Sequence, residues 1–266
     1  KKDLENSKKF IKKKKIKIVI KDIYCLNKNW EKKIAEKTFL TVIDDFSDND
    51  HYCDIYVNYH YNFFKKKHTR RLKKKNCKQL IGPNYSIIKN LKFKKKINFK
   101  EKTILIYMGG ADKKMLMLKF SKLFFDNKFN KFKKIFLLNN NHIRNKNLTK
   151  NLNKIKNKII IKNKVKNLSQ YLASTDLCIT PAGNTMLEQI ALKSKNLIVP
   201  QNLNQISIAN SLNKKGYINL ITNISKLNFN YINKLIEKKL NKRKLVNPQG
   251  KNLIIKKIIE NFNLSK

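Results

Sequence analysis

The chain has 266 residues, 41% of them hydrophobic, which is enough for one large domain or two ordinary ones. Its formal net charge of +45 is of the kind found in proteins that bind nucleic acid or anionic membranes. Here, however, Lys is spread along the whole chain with frequent Asn and Ile, and all three have AT-rich codons. Codon bias therefore explains the charge. We expect no specific nucleic-acid partner, because such proteins concentrate charge on one element and interleave aromatic residues for stacking.

The four cysteines, Cys25, Cys53, Cys77 and Cys178, form no CxxC pair and have no zinc-type spacing with histidine. Single cysteines in apolar runs are typical of reduced core residues, so we expect a cytoplasmic protein without a metal or another cofactor. No run of about 18 apolar residues predicts a membrane span. We also expect a monomer. The chain begins with Lys rather than Met, which we interpret as a missing start.

The first ninety residues predict strands that alternate with helices. A Lys-rich helix is expected at 1–15 and a second helix at 29–37. Apolar, β-branched runs predict strands at 16–20, 39–43 and 53–57. This order is typical of a parallel sheet that is buried on both faces.

Polar side chains follow these strands at the carboxyl edge, where parallel sheets bind ligands. They are Asp22, Asp44, Asp45 and Asn58. Asp44 and Asp45 are candidates for a general acid/base pair, although acidic residues at this place more often cap a helix or hold a turn. His51 and Cys53 are two ligand-type residues, too few for a closed metal site.

A second alternating series follows residues 89–102, a charged stretch that we interpret as a linker between two domains. A strand is predicted at 103–108, then a Gly109–Gly110 loop and a helix at about 114–125. Later strands are expected at 134–138, 159–161, 176–179 and 196–199, and later helices at 168–174, 206–214, 229–242 and 253–262. The order predicts a doubly wound α/β domain.

The stretch 180–188 predicts a tight turn between a buried strand and a helix. Pro181 and Gly183 interrupt regular structure, and apolar residues then recur at helical spacing from Met186. Such a turn directs backbone N–H groups and the positive end of the helix dipole toward one point, where phosphate binds. Glu188 lies about one turn into the helix, where its carboxylate can accept hydrogen bonds from two sugar hydroxyls. The alternative is an ordinary strand-to-helix connection with a surface Glu.

Several motifs agree in order and spacing with one known family. They occupy residues 42–46, 51–54, 80–85, 108–112, 180–188 and 204–205. Together they resemble the PseG/SpsG family, the UDP-2,4-diacetamido-2,4,6-trideoxy-β-L-altropyranose hydrolases of pseudaminic acid synthesis. The resemblance covers nearly all of residues 16–262. It implies an α/β fold of the GT-B-like type, with two Rossmann-type parallel-sheet domains and a cleft between them.

The resemblance also implies domain limits and nucleotide contacts. Residues 1–95 would form the rest of an N-terminal sugar domain, 96–250 a UDP-binding domain, and 251–266 a helix that packs back on the first domain. The residues assigned to the nucleotide are Gly109, Gly110, Ala182, Gly183, Asn184, Thr185, Glu188, Asn204 and Gln205. The 182–185 turn would hold the diphosphate and Glu188 the ribose hydroxyls. Asn204 and Gln205 would face the sugar or its phosphate.

The catalytic residues implied by the resemblance are Asp22 and Tyr24, with Tyr24 orienting the sugar or the attacking water. Ile23 stands where the family has a histidine, and the family's general-base histidine is expected in the missing segment, so this chain alone is expected to be nearly inactive. The implied reaction is metal-free hydrolysis of a UDP-linked diacetamido-trideoxy sugar with release of UDP. A GT-B glycosyltransferase with a UDP-sugar donor is the alternative, since a fold does not separate the two. A basic nucleic-acid-binding protein is the third hypothesis.

Overall fold

The computed structural model describes residues 2–44, 49–59, 71–89, 91, 93, 95–155, 158–163, 165–239 and 245–264, without the side chain of Asn204. The chain divides into two compact units, Lys1–Ile87 with Gln249–Lys266, and Ile88–Pro248. Within the described residues, no helix combines the length and apolar character needed to cross a lipid bilayer.

The first unit contains a four-stranded parallel sheet. Its strands, in spatial order, are β1 (Ile18–Lys21), β2 (Phe39–Ile43), β3 (Ile55–Asn58) and β4 (Lys78–Ile81). Its described helices are Lys2–Lys14, Lys28–Ala35 and Gly250–Leu264, with a 3-10 turn at Pro83–Tyr85. The predicted strands are confirmed. Nearly all residues of β2 and β3 are buried on both faces of the sheet, whereas Ile20 of the edge strand β1 is exposed.

The helix Gly250–Leu264 completes the core of the first unit. Ile254 and Ile258 pack with Phe39, Ile55 and other buried side chains of the sheet. The ring of Phe262 meets that of Phe39 edge-on, with 5.9 Å between their centroids. The last helix in the sequence therefore belongs to the unit that begins the chain.

The second unit contains a five-stranded parallel sheet in the order β7-β6-β5-β8-β9. The strands are β5 (Thr103–Tyr107), β6 (Lys133–Leu138), β7 (Ile159–Asn163), β8 (Leu177–Thr180) and β9 (Asn196–Ile198). The described helices are Leu116–Leu123, Asn140–Arg144, Lys146–Lys154, Leu168–Ser174, Asn184–Leu192, Leu203–Lys214 and Phe229–Glu237. Shorter 3-10 turns occur at Asn127–Lys131 and Ile224–Lys226. The doubly wound prediction is confirmed, since the chain crosses from one end of the sheet to the middle before β8.

Within the stretch 89–102, which the sequence predicted as a linker, residues 95–99 are attached to the second unit. Ile97 N–H donates to Ser174 Oγ at 2.9 Å, and the Gln170 amide donates to the Lys95 carbonyl at 2.8 Å. The ring of Phe99 packs against the core beneath β5. The charged side chains of this stretch did not predict these hydrogen bonds, because Lys95 and Ile97 form them with backbone groups.

Asparagine side chains begin many of the described helices. In each case the side-chain oxygen accepts a first-turn backbone N–H, which satisfies one of the donors that a helix leaves unpaired. These residues are Asn27, Asn139, Asn145, Asn167, Asn202, Asn223 and Asn228. The Asn-rich composition thus supplies caps that other sequences obtain from Ser, Thr and Asp.

Candidate functional site

Three loops of the second unit meet at the carboxyl edge of its sheet. They follow β5, β8 and β9, which are neighbours in the sheet. The Gln201 amide donates to the Met108 carbonyl at 2.9 Å and joins the β9 loop to the β5 loop. A Cβ built on Gly109 would lie 3.7 Å from Pro181 Cγ, so the β5 and β8 loops are in contact. Gly109 also has a φ of 73°, a conformation that favours glycine.

The turn after β8 is open where a phosphate would approach. Pro181 and Ala182 are buried, Gly183 and Thr185 are half-buried, and Asn184 is exposed. Gly183 precedes the helix Asn184–Leu192 without a side-chain capping bond. The helices that precede and follow it in the sequence, Leu168–Ser174 and Leu203–Lys214, each begin with an Asn cap instead. The uncapped helix start is available to an external acceptor.

Glu188 is not the surface residue of the ordinary-connection alternative. It is 3% exposed, and its Oε2 has no hydrogen-bond partner among the described residues. Burial raises its pKa, and a backbone hydrogen bond from Lys89 opposes this rise only in part. Burial and the Glu188 charge together raise the pKa of Tyr107. A buried carboxylate with an unpartnered oxygen is costly unless a ligand or water completes it.

The Gly109–Gly110 loop is held in place by Asn139, which sequence reasoning missed. The Asn139 amide donates to the carbonyls of Gly109 and Gly110 at 2.8 and 3.1 Å. Asn139 and His142 also form a capping box at the next helix. The signal was present as an Asn placed directly after a strand with His three residues later.

Asp112 ends this loop and acts as a structural anchor. Its two oxygens accept the backbone N–H groups of Leu116 and Met117, each at 2.8 Å. His142 Nε2 lies 3.3 Å from Asp112 Oδ2. Burial favours the neutral acid, but the bonds from His142 and the backbone outweigh it and lower the pKa of Asp112. The helix therefore begins at Leu116, after Met115 with a φ of 49°, rather than at residue 114 as predicted.

A cavity of about 470 Å³ opens beside the loop. Lys89, Tyr107, Gly109 and Asn139 are among the residues that line it. The predicted residues of the 182–188 stretch are not among its lining. The cavity lies toward β6 and the open turn follows β8, so they flank the β5 loop from its two sides. The cavity could accept a ring and the turn an anion.

Gln205 has a structural contact that the resemblance did not imply. Its Oε1 accepts the Gln201 N–H at 2.8 Å, and its own N–H is capped by Asn202 at 3.0 Å. Asn204 lies in the first turn of the helix Leu203–Lys214, and its side chain is outside the described part. Leu203 beside it is 83% exposed.

Asp22 and Tyr24 lie in the first unit, directly after β1. Both are exposed, Tyr24 to 47%. Asp45, and with it the suggested acid/base pair, lies outside the described residues. Asp44 is buried, and its Oδ2 lies 2.9 Å from His51 Nε2.

A buried ionic cluster underlies that edge of the first sheet, and sequence reasoning missed it. His51 Nδ1 lies 2.8 Å from Glu31 Oε1, which also accepts Lys21 Nζ at 2.5 Å. The second Glu31 oxygen accepts the Tyr52 N–H at 2.7 Å. Burial lowers the pKa of His51, but hydrogen bonds to Asp44 and Glu31 outweigh it and raise the pKa to about 9. A histidine held cationic at neutral pH is a poor general base, so we assign the cluster a structural role.

No protein-family model matches the sequence, and no curated protein matches it. Solved structures are similar to it. Acinetobacter baumannii MurG is 12% identical, with a TM-score of 0.64 over 95% of this chain and 77% of that chain. The S. aureus MnaA–UDP co-structure is 10% identical, with a TM-score of 0.68 over 99% and 79%. The spinosyn rhamnosyltransferase SpnG complexed with thymidine diphosphate is 11% identical, with a TM-score of 0.51 over 85% and 69%. At these identities the likeness shows the fold, which is α/β and GT-B-like.

Proposed function

We propose that this chain is an enzyme that binds the UDP part of a UDP-linked sugar at the carboxyl edge of its second unit. The observation that carries the proposal is the uncapped helix start at Gly183, which lies beside the Gly109 loop and is followed by the buried Glu188. Structures of the same fold were solved with UDP and with thymidine diphosphate. Both ligands are nucleoside diphosphates. They match an anion-binding turn next to a cavity that could bind a nucleoside.

The diphosphate would be held by backbone groups rather than by lysine side chains. At the 182–185 turn, small residues allow close approach, and the dipole of the helix Asn184–Leu192 favours negative charge. Such donors are fixed before the ligand arrives, so they lose little conformational entropy on binding. They also stabilise the charge that develops on UDP as it leaves.

The nucleoside would lie on the other side of the β5 loop. The cavity of about 470 Å³ has Tyr107 and Asn139 in its lining and therefore offers both a ring face and polar groups to a base. Glu188 Oε2, which has no partner among the described residues, would accept a ribose hydroxyl. This contact would remove the penalty of leaving that oxygen buried and unpaired.

The reaction that we propose is hydrolysis of a UDP-linked diacetamido-trideoxy sugar, as in pseudaminic-acid-type biosynthesis. Asp22 and Tyr24 would orient the sugar or the attacking water, since both are exposed after β1. The leaving group needs no metal, because the helix start and the loop amides neutralise its charge. The protein would act as a monomer and without a nucleic-acid partner.

Product analysis tests the reaction. We expect the complete protein, given the UDP-sugar in buffer with EDTA and no acceptor, to release UDP and free sugar in equal amounts. Tyr24→Phe with Asp22→Asn is expected to lower the rate on the order of 100-fold, the size of loss that a small misplacement of the reacting groups causes. Lys28→Ala, which alters an exposed ion pair, is the control and should retain the rate. UDP release that requires EDTA to be absent would contradict the metal-free mechanism.

A glycosyltransferase is the second candidate, supported by the likeness to a rhamnosyltransferase. It would use the same UDP seat and pass the sugar to an acceptor. Turnover only after an acceptor is added would favour it over the hydrolase. No turnover under either condition by a protein that still binds UDP would remove the catalytic half of the proposal.

A further inference from the structure

Cys53 and Cys77 lie side by side in the first unit, although the sequence suggested isolated core cysteines. Their Sγ atoms are 3.7 Å apart. Cys53 is fully buried and Cys77 is half-buried, and both pack in the same hydrophobic cluster. All four cysteines are free thiols in this structure.

The sheet register explains this proximity. β3 and β4 are parallel neighbours with Ile55 opposite Lys78, so Cys53 and Cys77 precede the two strands at the same end. The Lys78 N–H donates to the Asp54 carbonyl at 2.8 Å, which keeps the two chain segments together just before the strands begin. Neighbouring strands are about 4.8 Å apart, within the roughly 4.4–6.8 Å of Cα separation that a disulfide spans.

We propose that Cys53 and Cys77 form a modification site at which a peroxide-class oxidant makes an intramolecular disulfide. The half-buried Cys77 sulfur attacks the peroxide and becomes a sulfenic acid, with one oxygen transferred and one water released. The Cys53 thiol then attacks the Cys77 sulfur, the S–S bond forms, and the second water leaves. Two thiols and one hydrogen peroxide thus give one disulfide and two waters, with two electrons passing from sulfur to oxygen.

The other cysteines are unsuited to an intramolecular disulfide. Cys25 is exposed, and within the described residues no hydrogen bond joins it to another cysteine. Cys178 lies in the second unit, where burial raises its pKa to about 12. The hydrogen bond with Cys77 and burial raise the pKa of Cys53 well above its usual value, which makes Cys53 a poor thiol for the attack on the peroxide.

The bond would close a loop of 24 residues between the starts of two adjacent strands. A link of this span removes conformations from the unfolded chain more than from the native one. We therefore expect the oxidised first unit to melt higher than the reduced one, with a shift on the order of 10 °C. A reductant should abolish the shift.

The test uses the native chain with Cys25→Ser, which prevents links between molecules. After treatment with hydrogen peroxide and alkylation of the remaining thiols, we expect an intact mass that shows one internal disulfide, and a Cys53–Cys77 peptide after digestion. Dithiothreitol should restore all thiols. The variant that also carries Cys77→Ser should form no disulfide. Retention of both thiols, overoxidation of Cys77 without a link, or a bond to Cys178 would each overturn the proposal.

Discussion

Replacement of His51 by alanine is expected to destabilise the first unit by about 3–5 kcal/mol, the usual effect of breaking a buried ion pair. The imidazole lies between Glu31 Oε1 and Asp44 Oδ2, at 2.8 and 2.9 Å, and is 3% exposed. Without it two buried carboxylates lose the cation that lies between them, and Lys21 Nζ stays at 2.5 Å from Glu31 Oε1. Denaturant unfolding of the variant and the wild type measures the difference.

The pH dependence of stability identifies the cause. The folded pKa of His51 is about 9, above the ordinary value of 6.5. Its contribution is therefore fully present below pH 6.5 and is lost as the pH rises through 9. The shift corresponds to about 3 kcal/mol. We expect the wild type to lose this stability between pH 6.5 and 9.5, while His51→Ala stays nearly flat over the same window.

The control for this prediction is an exposed ion pair of the same unit. Lys28 Nζ lies 3.3 Å from Asp50 Oδ2, with both side chains about 40% exposed. Lys28→Ala is expected to change stability by less than about 1 kcal/mol, because solvent screens the pair. A wild type whose stability is the same at pH 6 and pH 9.5 would show that the histidine is not held cationic by its neighbours.

Gly250→Ala is expected to destabilise the first unit by about 3 kcal/mol or more, at the upper end of overpacking effects. A Cβ at this position would lie 2.5 Å from both the N and the O of Ser86 and 2.9 Å from Tyr85 C. These are backbone atoms, so they cannot yield as a flexible side chain can. The helix Gly250–Leu264 would have to shift away from Tyr85 and Ser86. Ile254 and Ile258 would then lose part of their packing against the sheet.

Replacement of a helical glycine by alanine usually increases stability, whereas here we expect stability to fall. Alanine favours a helix over glycine by about 1 kcal/mol when nothing opposes it. Gly110→Ala is the matched control, since a Cβ there has nothing within 4 Å. We expect a change of less than about 1 kcal/mol at Gly110. Equal or greater stability of Gly250→Ala in chemical denaturation would mean that the close contact with Ser86 does not exist.

The strands could be predicted from the sequence because each is a short run that is strongly apolar. In β2 and β5, for example, nearly every residue is buried, so the pattern did not depend on tertiary context. Helix ends were less predictable. The helix at 116 begins two residues late because Asp112 reaches forward to cap it, and no local pattern shows that reach.

The turn at 180–188 was also visible, since Pro181, Gly183 and the apolar spacing after them lie within nine consecutive residues. The buried cluster of the first unit was not. Lys21 and Glu31 resemble the many solvated charges of this chain, and only the fold brings them to His51. A composition rich in Lys hides the few charges that are buried, because burial leaves no mark on the sequence.

The contact between Cys53 and Cys77 was hidden for a related reason. It depends on the register of β3 with β4, and this pairing brings together two cysteines that are 24 positions apart in the sequence. The packing of Gly250 on Ser86 likewise joins the two separate chain segments that make up the first unit. Such long-range contacts require the structure.

Titration of UDP into the protein at physiological salt tests the nucleotide seat most directly. Because the net charge of +45 attracts any anion, inorganic tripolyphosphate and uridine serve as controls at the same salt. We expect saturable binding of UDP, at least 10-fold weaker binding of both controls, and at least 10-fold weaker UDP binding by Glu188→Ala. Amide signals of Gly109, Gly183 and Thr185 should shift with UDP. Binding that is unchanged in Glu188→Ala would contradict the ribose contact. Binding that tripolyphosphate matches, or that leaves the amide signals of Gly183 and Thr185 unshifted, would contradict a nucleoside diphosphate site built from backbone amides.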